Sequence, residues 1–90
     1  MPKGVKAFVN IFVESKELDS VTEALLKLPE VADVYEVTGE YDLIALVTTD
    51  TISSFRDFLK NKILRINGIR STVTAVVIYT HKREGKLISE

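Results

Sequence analysis

The run Leu43-Ile44-Ala45-Leu46-Val47 contains no polar side chain. A strand with one face in water alternates apolar and polar residues, so an unbroken apolar run of this length predicts a strand buried on both faces. Such a strand belongs in the centre of a sheet. Upstream, Val34 to Val37 forms a second strand-like run, and Gly39-Glu40-Tyr41-Asp42 joins the two. The stretch from Val34 to Val47 therefore reads as a hairpin, with Gly39 able to adopt positive φ and Asp42 able to bond nearby backbone amides.

The first strand, Val5 to Glu14, is also two-faced. Its odd positions Val5, Ala7, Val9, Ile11 and Val13 form one apolar face, while Phe8 and Phe12 put bulk on the other. Ser20 followed by Glu23 has the spacing of a capping box and predicts a helix start at Ser20. Val21, Ala24, Leu25 and Leu28 then give one apolar stripe, and Pro29 stops the helix. The second strand runs from about Val31 to Thr38. Asp50 is the expected N-cap of a second helix with the stripe Ile52, Phe55, Leu59 and Ile63, ending near Arg65. Asn67-Gly68 turns the chain into a last strand, about Arg70 to Thr80. Residues 1–80 make a single domain, and residues 81–90 are expected to be a polar tail, mobile or donated to a neighbour.

The order β-α-β-β-α-β is that of an α+β, ferredoxin-like domain: a four-stranded antiparallel sheet with two helices on one face. Right-handed crossovers put the first and third strands in the middle, and these are the two strands with apolar residues on both faces. A chain of ninety residues cannot cover both faces of that sheet. Small domains need a staple, and with no cysteine in the chain a disulfide is not one of the choices. The remaining staple is self-association, so the expected assembly is a dimer packed sheet to sheet into an α/β-barrel.

The Gly39 to Asp42 turn is the candidate site. Amides of Gly39, Glu40 and Tyr41 could form an anion-binding concavity, and the Asp42 carboxylate could take an ammonium, which together suit a small zwitterion. Those residues serve equally well as a plain turn. No catalytic constellation is visible, because the single histidine, His81, stands in the tail without a partnered nucleophile or acid at recognisable spacing. No metal-ligand cluster and no cofactor motif appear. Twelve Lys plus Arg against thirteen Asp plus Glu give no electrostatic case for nucleic acid or an anionic membrane. The apolar runs are too short to cross a bilayer, and a cytoplasmic location is expected.

Several segments together resemble the effector domain of the Lrp/AsnC family of transcription regulators, the RAM domain. They are Leu28-Pro29-Glu30-Val31, Val34-Tyr35-Glu36-Val37-Thr38-Gly39-Glu40-Tyr41-Asp42-Leu43, Asp50, the Phe55 to Leu64 helix, Gly68-Ile69 and Ser71-Thr72-Val73-Thr74. The likeness covers nearly the whole chain, but no helix-turn-helix precedes the first strand, so the chain resembles the stand-alone members. The resemblance implies homodimers built by facing sheets, often assembled into a ring of four dimers, with a free amino acid bound between dimers. It implies ligand contacts at Gly39, Glu40, Tyr41 and Asp42, with the hydroxyls of Thr72 and Thr74 contributing. It also implies co-assembly with full-length relatives, and thereby a role in regulating amino acid metabolism or transcription without direct contact to nucleic acid.

Two other readings stand beside it: a small cofactor-free enzyme of the dimeric α+β barrel class, and a ligand-free assembly scaffold. An ACT-type amino-acid site is disfavoured because the first strand-to-helix loop, Glu14 to Asp19, has no glycine. An RNA-recognition domain needs stacking aromatics where Leu43 to Val47 supplies none.

Overall fold

The computed structural model describes residues 4–88. Strand β1 (Val5–Val13) leads into helix α1 (Leu18–Leu26), then β2 (Val31–Glu36) and β3 (Leu43–Thr49). Helix α2 (Ile52–Phe58) continues as a π-helical turn over Leu59–Ile63, and β4 (Ile69–Val76) closes the main sheet. The sheet order is β2-β3-β1-β4, antiparallel throughout. The first and third strands are central, as their apolar character requires, and the fold is the ferredoxin-like α+β plan.

The two faces of the sheet separate cleanly. Ala7, Val9 and Ile11 of β1 and Leu43, Ala45 and Val47 of β3 are wholly buried, in one core with Val21 and Leu25 of α1 and Phe55, Phe58 and Ile63 from α2 and its π turn. Removing the side chain of a residue such as Leu25 or Ile63 costs about 2–5 kcal/mol. The opposite face carries Phe8, Phe12, Ile44, Leu46 and Val73, and Phe8 and Val73 are exposed. A sheet face of this composition is under-covered by its own chain.

Five local expectations change. Helix α1 begins two residues before Ser20: Glu17 is the N-cap, and the Ser20 hydroxyl donates to the Glu17 carbonyl from inside the first turn. In α2 the cap is Thr51, not Asp50. Its hydroxyl accepts from the Ser54 amide at 2.9 Å, while the Ser54 hydroxyl accepts from the Thr51 amide at 2.9 Å. The π turn then widens the last part of the helix; the buried residues are Phe55, Phe58 and Ile63, while Ile52, the first residue of α2, is exposed.

Strand β4 ends at Val76 rather than Thr80, because its partner β1 runs out: Val76 pairs with Ala7, and the Val77 amide makes a last bond to the Lys6 carbonyl at 2.8 Å. Residues 81–88 are not an irregular tail. Strands β5 (Lys82–Arg83) and β6 (Lys86–Leu87) form a hairpin whose two loop residues, Glu84 and Gly85, have φ of 51° and 79°. Positive φ at both loop positions is the twist that a two-residue hairpin demands. The last two residues of the expected tail lie outside the described residues.

Candidate functional site

The connection between β2 and β3 is held by three bonds. The Val37 amide donates to the Asp42 carbonyl at 3.1 Å, the Asp42 amide donates to the Ile11 carbonyl at 3.0 Å, and the Val13 amide donates to Asp42 Oδ2 at 2.8 Å. The last bond falls where the register between β1 and β4 slips, between Phe12 and Val13. The Val13 amide faces the β3 side, as the Ile11 carbonyl does, beyond the last β1–β3 pair, and the Asp42 carboxylate takes it in place of a ladder partner. Asp42 therefore spans the loop and the end of the central strand.

Gly39 has φ of 109°, and a Cβ there would meet nothing within 4 Å. Gly39 and Glu40 are exposed, whereas Tyr41 and Asp42 are half-buried. The Tyr41 ring packs against Phe12 with centroids 4.9 Å apart and planes tilted by 57°. Among the described residues, no backbone or side-chain acceptor takes the amides of Gly39, Glu40 or Tyr41. Three successive N–H groups without a protein acceptor thus stand in the same short loop as a carboxylate.

Thr72 stands opposite Ile11, and Thr74 opposite Val9. Directly opposed residues share a face, so both threonines lie on the helix side of the sheet, half-buried. Phe12 stands opposite Ser71 on the open side and carries the Tyr41 ring with it. Within one chain, the turn and the threonine pair are thus on different sides, with β1 between them. Sequence reasoning also missed the Phe12 to Tyr41 contact and the role of the Val13 amide. Both depend on how the loop before β3 folds back against the end of β1, which no residue pattern announces.

His81 is exposed and meets Tyr79 edge to face at 4.7 Å. Among the described residues there is no cluster of three potential metal ligands, and no helix is long and apolar enough to cross a membrane.

An antiparallel four-stranded sheet with two helices on one face and its other face bare defines a small α+β domain of the ferredoxin-like class. The family model described as the Lrp/AsnC ligand binding domain matches residues 6–87, and the chain belongs to that family. The transcriptional regulator FL11 of Pyrococcus furiosus is 32% identical over 83 residues, which are 92% of this chain and 54% of that protein. The chain spans about half the length of the curated relatives it matches, which are transcriptional regulators of the helix-turn-helix type. Among solved structures, E. coli AsnC superposes with a TM-score of 0.82 at 34% identity, over 84% of this chain and 52% of that one. TTHA0845 from Thermus thermophilus superposes with a TM-score of 0.82 at 35% identity, over 88% of this chain and 99% of that one.

Proposed function

We propose that this chain is an amino-acid-binding and oligomerisation module of the Lrp/AsnC type that acts in the cytoplasm by binding rather than by catalysis. The observation that carries the reading is the turn itself: the unpaired amides of Gly39, Glu40 and Tyr41 suit a carboxylate, and Asp42 beside them suits an ammonium. The family's description as a ligand-binding domain supports it. In the same fold, NMB0573 of Neisseria meningitidis was crystallised with L-Met.

The bare face with Phe8, Phe12 and Val73 closes against the same face of a second copy, giving a two-fold dimer. Further dimers gather into a ring, and the ligand lies between them. That arrangement lets Thr72 and Thr74 of one chain reach a ligand held by the turn of a neighbour, which a single chain does not permit. Ligand binding then biases the assembly, and through co-assembly biases what a full-length Lrp/AsnC relative does. Among the described residues the two helices are separated by two strands, which is not the arrangement of a helix-turn-helix.

Sedimentation velocity tests this reading. The purified chain should sediment as a dimer or larger, and one chemical group of amino acids at millimolar concentration should change the distribution of species. Phe8→Glu should shift the chain toward monomer. A monomer at every concentration and with every amino acid would contradict the proposal.

A further inference from the structure

At the other end of the sheet a crevice of about 360 Å³ opens between the start of β1 and the segment after β4. Its volume is that of a small-ligand pocket. The chain builds it in two steps: Val77 is pinned beside Lys6 by its backbone bond, and the hairpin of β5 and β6 folds back to bring Arg83 to the rim. Lys6 and Arg83 supply two cations, Thr48 and Tyr79 supply hydroxyls, and the half-buried Val5 and Val77 supply apolar surface. The lining contains no carboxylate.

This is unexpected in a chain of net charge −1. Among the described residues the ion pairs are Arg56 with Asp57 and Arg70 with Glu14, so neither Lys6 nor Arg83 has an acidic partner within 4.0 Å. Two cations that line the same part-apolar crevice without an acidic partner among the described residues suit an anion, because a charge-assisted hydrogen bond is stronger than a neutral one. Tyr79 is braced by the edge of His81, which holds one wall in place.

We propose that this crevice binds a small organic anion with an apolar body, such as an aryl or alkyl carboxylate, between Lys6 and Arg83. The site is separate from the Gly39 to Asp42 turn. Lys6 pairs with Thr48 and Ile11 with Leu43, so five residues of β1 divide the two ends, about 16 Å at strand rise.

Equilibrium dialysis of the full assembled chain with radiolabelled benzoate tests the proposal, with benzyl alcohol as the neutral control of similar shape. Benzoate should bind, benzyl alcohol should bind at least about tenfold more weakly, and Arg83→Ala and Lys6→Ala should each weaken benzoate about tenfold. Arg83 is exposed on a surface hairpin, so its variant should keep the fold even if the β1 variant does not. Equal binding of the alcohol, no binding of benzoate, or benzoate binding that survives Arg83→Ala but is lost in Asp42→Asn would overturn it.

Discussion

The Asp42 carboxylate accepts the Val13 amide at 2.8 Å, which ties the loop between β2 and β3 to the last residue of the central strand. The residue best placed to receive a ligand's ammonium is therefore also part of the fold. The bond occupies Oδ2, so in the proposed site the ammonium approaches Oδ1.

The two roles separate by substitution. Asp42→Ala should destabilise the chain by about 1–3 kcal/mol, because it strands a part-buried amide that had a charged acceptor. Asp42→Asn keeps an oxygen for that amide and should retain most of the stability while losing the charge that an ammonium needs. Urea denaturation checks the first effect. Equal stability of Asp42→Ala and the parent would show that the bond contributes nothing.

Two glycines with similar backbone differ in their surroundings. Gly39 has φ of 109° and open space around it, whereas at Gly68, with φ of 102°, an added Cβ would lie 2.6 Å from Glu17 Cβ and 2.9 Å from Val21 Cγ2. Gly39→Ala should cost about 1–3 kcal/mol, the strain of an L-residue in that region. Gly68→Ala should cost more, by about 1–3 kcal/mol, since crowding against α1 is added to the strain. Thermal unfolding of the two variants side by side measures the difference.

At the start of α2 the reciprocal Thr51 and Ser54 bonds predict that Thr51→Ala loses about 1 kcal/mol. Asp50→Ala should change stability by less than about 0.5 kcal/mol. Denaturant midpoints decide between them, and the reverse ranking would place the cap one residue earlier.

The Tyr35 hydroxyl donates to Asp33 at 3.2 Å. That bond, and then the negative charge of Asp33, hold the phenol above its ordinary value of 10.0. A raised folded-state value means that the stabilising interaction is fully present below pH 10 and is lost as pH rises through the raised value. Asp33→Ala should lower the ionisation midpoint of Tyr35, read as the difference in ultraviolet absorbance titration from the matching Tyr35→Phe variant. An unchanged midpoint would mean that the bond is not kept in solution.

The architecture was legible because it rests on strands whose residues leave little choice. Leu43 to Val47, with no polar residue, fit only a central strand, and the odd positions of β1 are the ones that meet the helices. Helix ends were less legible. Ser20 and Glu23 have capping-box spacing but sit inside α1, where a serine hydroxyl bonds backward to Glu17, while the true box in α2 uses Ser54 in place of the usual acid or amide. The π turn was invisible because it changes helical period without a marker residue, and the burial of Phe58 in place of Ile52, at the first position of α2, was likewise unmarked.

The hairpin at 82–87 was missed for a related reason: Glu84 is not a residue that favours positive φ. Gly39 and Asp42 were found at the candidate site because they are turn formers. Which side of the sheet Thr72 and Thr74 occupy depended on the register with β1, and that is a long-range property.

The most direct test of the central claim is a thermal-unfolding panel of the parent chain and Asp42→Asn against each common amino acid. A ligand at about a hundred times its dissociation constant stabilises by about 2.7 kcal/mol, which for a chain of this size is a shift of several degrees or more. The expected result is a shift confined to one chemical group of amino acids in the parent and absent from Asp42→Asn. No shift in the assembled parent, or an equal shift in both proteins, would contradict it.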